Sequence, residues 1–208
     1  MDVKQIYNAY KIPPNLQKHM LRVAALSHII IKNWRANKLD KESIILTCLF
    51  HDMANIIKFD FKKPSLFKEE ENQLDYWKKV RDDFLQKYGT DIHKATLNIC
   101  QEIGLTKQTL QLIEELEWNN SLNKIQQNDF ESMICIYSDM RIGPHGILPL
   151  QERLINLQTR NSSFDFEFIE KSAVALEKEV QKHISISVNS INDTELNEKF
   201  EQLLRINI

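Results

Sequence analysis

The sequence is short of the residues that turn a chain sharply. Only 4 Gly and 5 Pro occur among 208 residues, too few for the many tight turns of a β-sandwich or barrel. With 42% hydrophobic and 27% charged residues, that scarcity predicts an all-α protein. No Pro/Gly/Ser-rich stretch divides the chain, which predicts one domain. Cysteine is scarce too. Cys48, Cys100 and Cys135 are odd in number, widely spaced and set among apolar residues, which argues against a disulfide framework or a zinc site and for buried, reduced thiols. Neither sign of charge dominates, with 27 Lys+Arg against 29 Asp+Glu. No block of basic residues supplies an electrostatic footprint, so no nucleic-acid partner is expected and the ligand should be small. No apolar run approaches the ~20 residues of a membrane span, and the opening MDVKQIYNAYKIPP lacks a basic region followed by an apolar one. The expectation is a cytoplasmic protein with no membrane partner. Nothing in this excludes a homodimer.

What the sequence does hold is organised around residues 44–60, IILTCLFHDMANIIKFD. The run before His51-Asp52 is nearly all apolar and predicts a helix buried on most sides. Neighbours on a helix point about 100° apart, so adjacent imidazole and carboxylate groups grip one ion only where the helix ends or bends. Left in a core without a partner they would be costly, and a metal ion is a suitable partner.

Along the chain, a short helix is predicted over 3–10, ending at Ile12-Pro13-Pro14. A longer one follows with Pro14 and Asn15 in its first turn. Its apolar face is Leu16, Met20, Val23, Leu26, Ile30 and Trp34, at i, i+3, i+4, i+7 spacing. His19 and His28, taken alone, read as hydrogen-bonded core or boundary residues. Arg22 lies on the same side as His19 one turn later, where a surface ion pair is the plain reading. Asp40 should cap the next helix. Residues 53–72 show no sustained helical period yet hold many apolar side chains, and read either as a cover over a pocket or as a packed connector. Helices are then predicted over 69–88, with Gly89 at its end, over 90–103 and over 106–117. His93, in the first turn of the second of these, is a candidate second-metal ligand, phosphate contact or packing residue. Glu114, Glu115 and Glu117 read as a solvated face. FESMICIYSDM, residues 130–140, is strongly apolar and contains Asp139, a carboxylate that needs a cation or donors. Arg141 is one candidate partner, and a further helix starts near Leu150.

His19, then His51-Asp52 after 51 − 19 = 32 residues, then Asp139, in the contexts LQKHMLRVAALS, CLFHDM and YSDMRIGP, resembles the HD-domain superfamily of metal-dependent phosphohydrolases. The resemblance covers about 15–160, with 161–208 as a C-terminal helical extension. It implies a single-domain helical fold in which His19, His51, Asp52 and Asp139 meet on one divalent ion in the helical core.

Two imidazoles and two carboxylates suit one divalent transition metal ion (Mn, Fe, Co, Ni or Zn) better than Ca or Mg. An ion with open coordination positions would activate water toward a small phosphorylated, nucleotide-like substrate. Arg22 and Lys58, with Arg141 and His145 after the last ligand, are the candidate phosphate and substrate contacts. The sequence departs from the family pattern in two places. Many members carry Lys or Glu three residues after the HD aspartate, but here the residue is Asn55, which cannot transfer protons as Glu does. That leaves Asp60 or His93 to handle protons, with Lys58 beside them. Members with two metals add paired histidines; His93 matches the first, whereas Trp118-Asn119-Asn120-Ser121 lacks the second, which predicts one ion. Two readings follow: a phosphohydrolase, or an inactive metal-stabilised ligand-binding or regulatory protein. The complete ligand set favours the enzyme.

Overall fold

The computed structural model describes residues 1–35, 38–62, 71–160 and 165–208. Among them regular structure is helical, with only isolated bridges between extended residues. The central element is α2 (Pro14–Lys32), which opens on Pro14 at its first turn, where a missing N–H costs nothing. Met20, Val23, Ala24, Leu26, Ser27 and Ile30 are all at 0–1% exposure, so this helix is enclosed along most of its length. It packs against α3 (Lys41–Phe50) and α8 (Phe130–Arg141). These three helices are the frame on which the site is built. Trp34, expected on the apolar face of α2, lies beyond its end and packs against Phe130 and His183, with ring centroids 5.6 and 5.2 Å away.

Side-chain caps account for several boundaries, the one predicted at Asp40 among them. Asp40 accepts from Ser43 N at 3.1 Å, Asp91 from Lys94 N at 3.0 Å and Thr106 from Thr109 N at 3.2 Å. They open α3, α5 (Ile92–Ile103) and α6 (Lys107–Glu114). Gly104 ends α5 at φ 91°, a left-handed conformation that an L side chain resists. α1 is Val3–Ala9, as expected, whereas α4 (Leu74–Tyr88) starts later than predicted, after a 3₁₀ turn over Glu71–Gln73. α6 stops at Glu114, and α7 (Ser121–Gln127) was not foreseen. The acidic face is corrected in part: Glu115 leaves solvent to pair with the buried Lys124.

The segment after His51 is packed where it is described. Asn55–Lys58 forms a 3₁₀ turn, Ile56 is fully buried and Phe61 nearly so, with Arg81 lying 5.4 Å over the Phe61 ring. Residues 63–70, including the predicted start of α4 and part of the candidate cover, lie outside the described residues. Beyond α9 (Leu150–Arg160), α10 (Phe166–His183) packs on α7 and α8, and the short α11 (Asp193–Asn197) and α12 (Phe200–Leu204) pack on α2. The last residues of the sequence pair with the first, Val3 N donating to Ile206 O at 3.0 Å. Among the described residues no helix is long and apolar enough to cross a membrane.

Candidate metal centre

The end of α3 shows how the sequence turns two adjacent residues into a shared site. A helix leaves its last four carbonyls without partners, and here each of them is taken up. Thr47 O accepts from the His51 backbone N–H at 2.9 Å, Cys48 O pairs with His51 Nδ1 at 2.9 Å, Leu49 O accepts from the Tyr7 hydroxyl at 2.6 Å, and Phe50 O accepts from Met53 N at 3.3 Å. The helix can therefore stop at Phe50 inside the core, and the bend lets His51 and Asp52 face the same space.

The bond from His51 to Cys48 also sets the imidazole's chemistry. A carbonyl can only accept, so Nδ1 carries a proton, and when the ring is neutral Nε2 is the nitrogen that offers a lone pair. That Nε2 is buried and has no hydrogen-bond partner. Around it stand His19 from α2 and Asp139 from α8. His19 Nε2 lies 3.1 Å from Asp139 Oδ1, and His51 Nε2 lies 3.4 Å from the same oxygen. The ligand atoms of His19, His51 and Asp139 all fall within 4.8 Å of one another, the one such cluster among the described residues. Asp52 is not part of that cluster but stands beside it, its Oδ2 3.5 Å from His19 Nε2 and 3.8 Å from His51 Nε2.

Burial grades across the four. The His51 side chain is 4% exposed and forms the floor, while Asp139 at 17% and His19 and Asp52 at 23% leave one side open. Burial alone would lower the pKa of His51, yet the Asp52 and Asp139 carboxylates outweigh it and raise it to about 10. Burial likewise opposes the charge on Asp139, but His19 and His51 hold its carboxyl well below the usual range. Both directions say that the space between these groups stabilises positive charge. An orphaned buried nitrogen facing a carboxylate oxygen, in a mixed N/O donor set, fits a divalent transition metal ion.

The remaining candidates divide. Arg22 is half-buried one turn after His19, and its Nε is buried without a hydrogen-bond partner. Asn55 is buried at 6% exposure and opens the 3₁₀ turn, its backbone N–H donating to Asp52 O at 3.0 Å. Lys58 at the end of that turn and Asp60 just beyond it are exposed. His93 is exposed in the first turn of α5 and stands outside the ligand cluster, and His145 is exposed in the turn after α8. Arg141 is a correction. Its guanidinium is buried at 2% exposure and taken by Leu148 O at 2.7 Å, Glu177 at 3.1 Å and the Tyr137 hydroxyl. It ties α8 to α10, and its ion pair among the described residues is with Glu177 and not with Asp139.

Trp118 is the residue the sequence reading passed over. Its indole Nε1–H donates to Asp139 Oδ2 at 3.0 Å. The reading noted only that no histidine stands there. An amphipathic ring in a short turn between two helices, beside an Asn-Asn-Ser run, was the available signal.

A family model described as HD domain matches residues 7–124, more than half of the chain. That span holds His19, His51 and Asp52 but ends before Asp139, which joins the site on distance alone. No curated protein and no solved structure matches the chain.

Proposed function

The chain belongs to the HD-domain family, and from that premise we propose that it is a metal-dependent phosphohydrolase acting on a small, nucleotide-like phosphate ester. The observation that carries this reading is the orphaned His51 Nε2 at the buried floor of a site whose other three donors are partly open to solvent. His19, His51, Asp52 and Asp139 would hold one divalent transition metal ion. When bound, such an ion polarises a phosphoryl group and lowers the pKa of water.

The chain's own residues do the rest. The Cys48 carbonyl keeps His51 in the tautomer that offers Nε2. Arg22 presents a guanidinium edge whose Nε has no protein partner, and a planar donor pair of this kind suits phosphate oxygens in two-point contact. Lys58, exposed at the end of the turn that leaves Asp52, brings a second positive charge. Asn55 stays neutral and cannot relay a proton, so the exposed Asp60 carboxylate would take a proton from the attacking water and, as the acid, pass it to the leaving oxygen. His93, outside the ligand cluster, is held in reserve for the same task.

The buried Asn55 also favours a second reading, a metal-stabilised regulatory protein without turnover. One experiment separates them. Purified protein loaded with Mn²⁺, Co²⁺ or Ni²⁺ is assayed for phosphate release across nucleoside mono-, di- and triphosphates, beside Asp52→Ala. Ion-dependent release that is lost in Asp52→Ala is expected. One bound ion per chain with no release from any substrate would overturn the enzyme and leave the regulatory reading.

A further inference from the structure

Asp139 differs from the other three ligands in that both its oxygens are occupied, and by groups of different kinds. Oδ1 faces the two histidine nitrogens at 3.1 and 3.4 Å, while Oδ2 accepts the Trp118 indole N–H at 3.0 Å. An indole N–H is a donor with no acceptor capacity, so it cannot exchange roles with the carboxylate. The ring's position is fixed from several directions. Trp118 starts a 3₁₀ turn, Trp118–Asn120, that precedes α7. Its carbonyl accepts from Ser121 Oγ at 2.6 Å, and Asn120 Nδ2 ties the turn back to Glu115 O at 3.1 Å. The Arg153 guanidinium lies 5.6 Å from the ring centroid. A cation over the face draws density from the ring and strengthens its N–H as a donor.

We propose that Trp118 is a positioning residue for the ion: it holds Asp139 to single-oxygen coordination through Oδ1 and withholds Oδ2 from any second ion. This rests on the reading of His19, His51, Asp52 and Asp139 as ligands. A carboxylate free to swing presents two oxygens to one ion or bridges two, and the bond to Trp118, which takes one lone-pair site of Oδ2 and fixes its direction, disfavours both. The site is thereby built for one ion with positions left open, the arrangement that a hydrolytic ion needs.

The test is Trp118→Phe, which keeps a ring under Arg153 and removes only the N–H. Co²⁺ binding is followed by its visible absorption, and the melting temperature of the metal-free protein checks the fold. The expected result is a dissociation constant about 10–100-fold higher, the usual loss when a ligand's outer partner is removed. The absorption should also weaken as Asp139 turns to two-oxygen coordination. Affinity and spectrum equal to wild type would overturn the proposal while leaving the ion site intact; wild-type protein that binds no Co²⁺ would remove the site itself. Should Trp118→Phe fail to fold, the wild type decides. Of its 3 tryptophans, one should show indole N–H exchange slowed at least tenfold by Zn²⁺, an effect absent in Asp139→Asn. Exchange indifferent to Zn²⁺ in all of them would overturn the proposal.

Discussion

Two of the polar clusters that interrupt the core are finished in opposite ways. Around Lys124, buried at 6% exposure, the chain supplies its own cation: Nζ reaches Glu115 and, at 3.0 Å, Asp129. Asp129 in turn caps α8, accepting from Ser132 N at 3.1 Å and Ser132 Oγ at 2.8 Å. Each charged group there has its partner. At His19, His51, Asp52 and Asp139 the chain supplies two carboxylates and two imidazoles, and leaves His51 Nε2 with nothing to bond. Both clusters sit where unpaired charge is costly. The closed one needs nothing from outside, whereas the open one could hold a cation that the chain does not supply. Local satisfaction thus separates a structural ion cluster from a binding one, though their residue types overlap.

The largest expected effect breaks the open cluster. Asp139→Ala should lower the ion content from one per chain to none and abolish ion-dependent turnover, as read by metal analysis of the purified protein; retention of a full complement would show that Asp139 is not a ligand. Next comes the closed cluster. Lys124→Met strands two carboxylates, so urea denaturation should show a loss of about 3 kcal/mol, the low end for a broken buried pair because both acids are partly exposed. Its ion affinity should match wild type, since no residue is shared between the clusters. A third measurement adds ligand. Mn²⁺ at about 100 times its dissociation constant should stabilise wild type by about 2.7 kcal/mol and Lys124→Met by the same amount. Unequal gains would mean that the clusters are coupled.

The smallest effect is in pH. Burial opposes ionisation of Asp129, but Lys124 and Ser132 prevail and its pKa falls below the ordinary 3.8. A carboxyl lowered on folding contributes its stability above the unfolded pKa and loses it as pH falls through the folded one. The stability gap between wild type and Lys124→Met should therefore be constant above about pH 5 and shrink below about pH 4. A gap that widens in acid would contradict this origin.

What could be read in advance follows the same division. The cap at Asp40 and the apolar period of α2 are local properties, and they carried over to the structure. The residues that gather at the candidate site were named through family context, and the bend that unites His51 with Asp52 was foreseen as a helix end. The way its carbonyls are satisfied was not, because the Tyr7 hydroxyl that closes Leu49 comes from a helix 42 residues away in sequence. Arg141 was misassigned for the same reason. Its neighbour in sequence is Asp139, but its partner is Glu177, a packing choice between α8 and α10 that no spacing reveals. Glu115 and Trp118 were read as surface and as absence respectively, since each acquires its role only from a residue on another element.

The distance along the chain between Asp52 and Asp139 has a consequence for how the molecule comes into being. The first three ligands are in hand early in synthesis, but the fourth lags by 139 − 52 = 87 residues. At about 5–20 residues per second this is a delay of roughly 4–17 seconds. For that interval a nascent chain carries two histidines and one aspartate without the residue that closes the ring, and Trp118 is made before the carboxylate it will hold. On the proposed reading, an ion held by all four residues would wait for α8 to dock on α2 and α3.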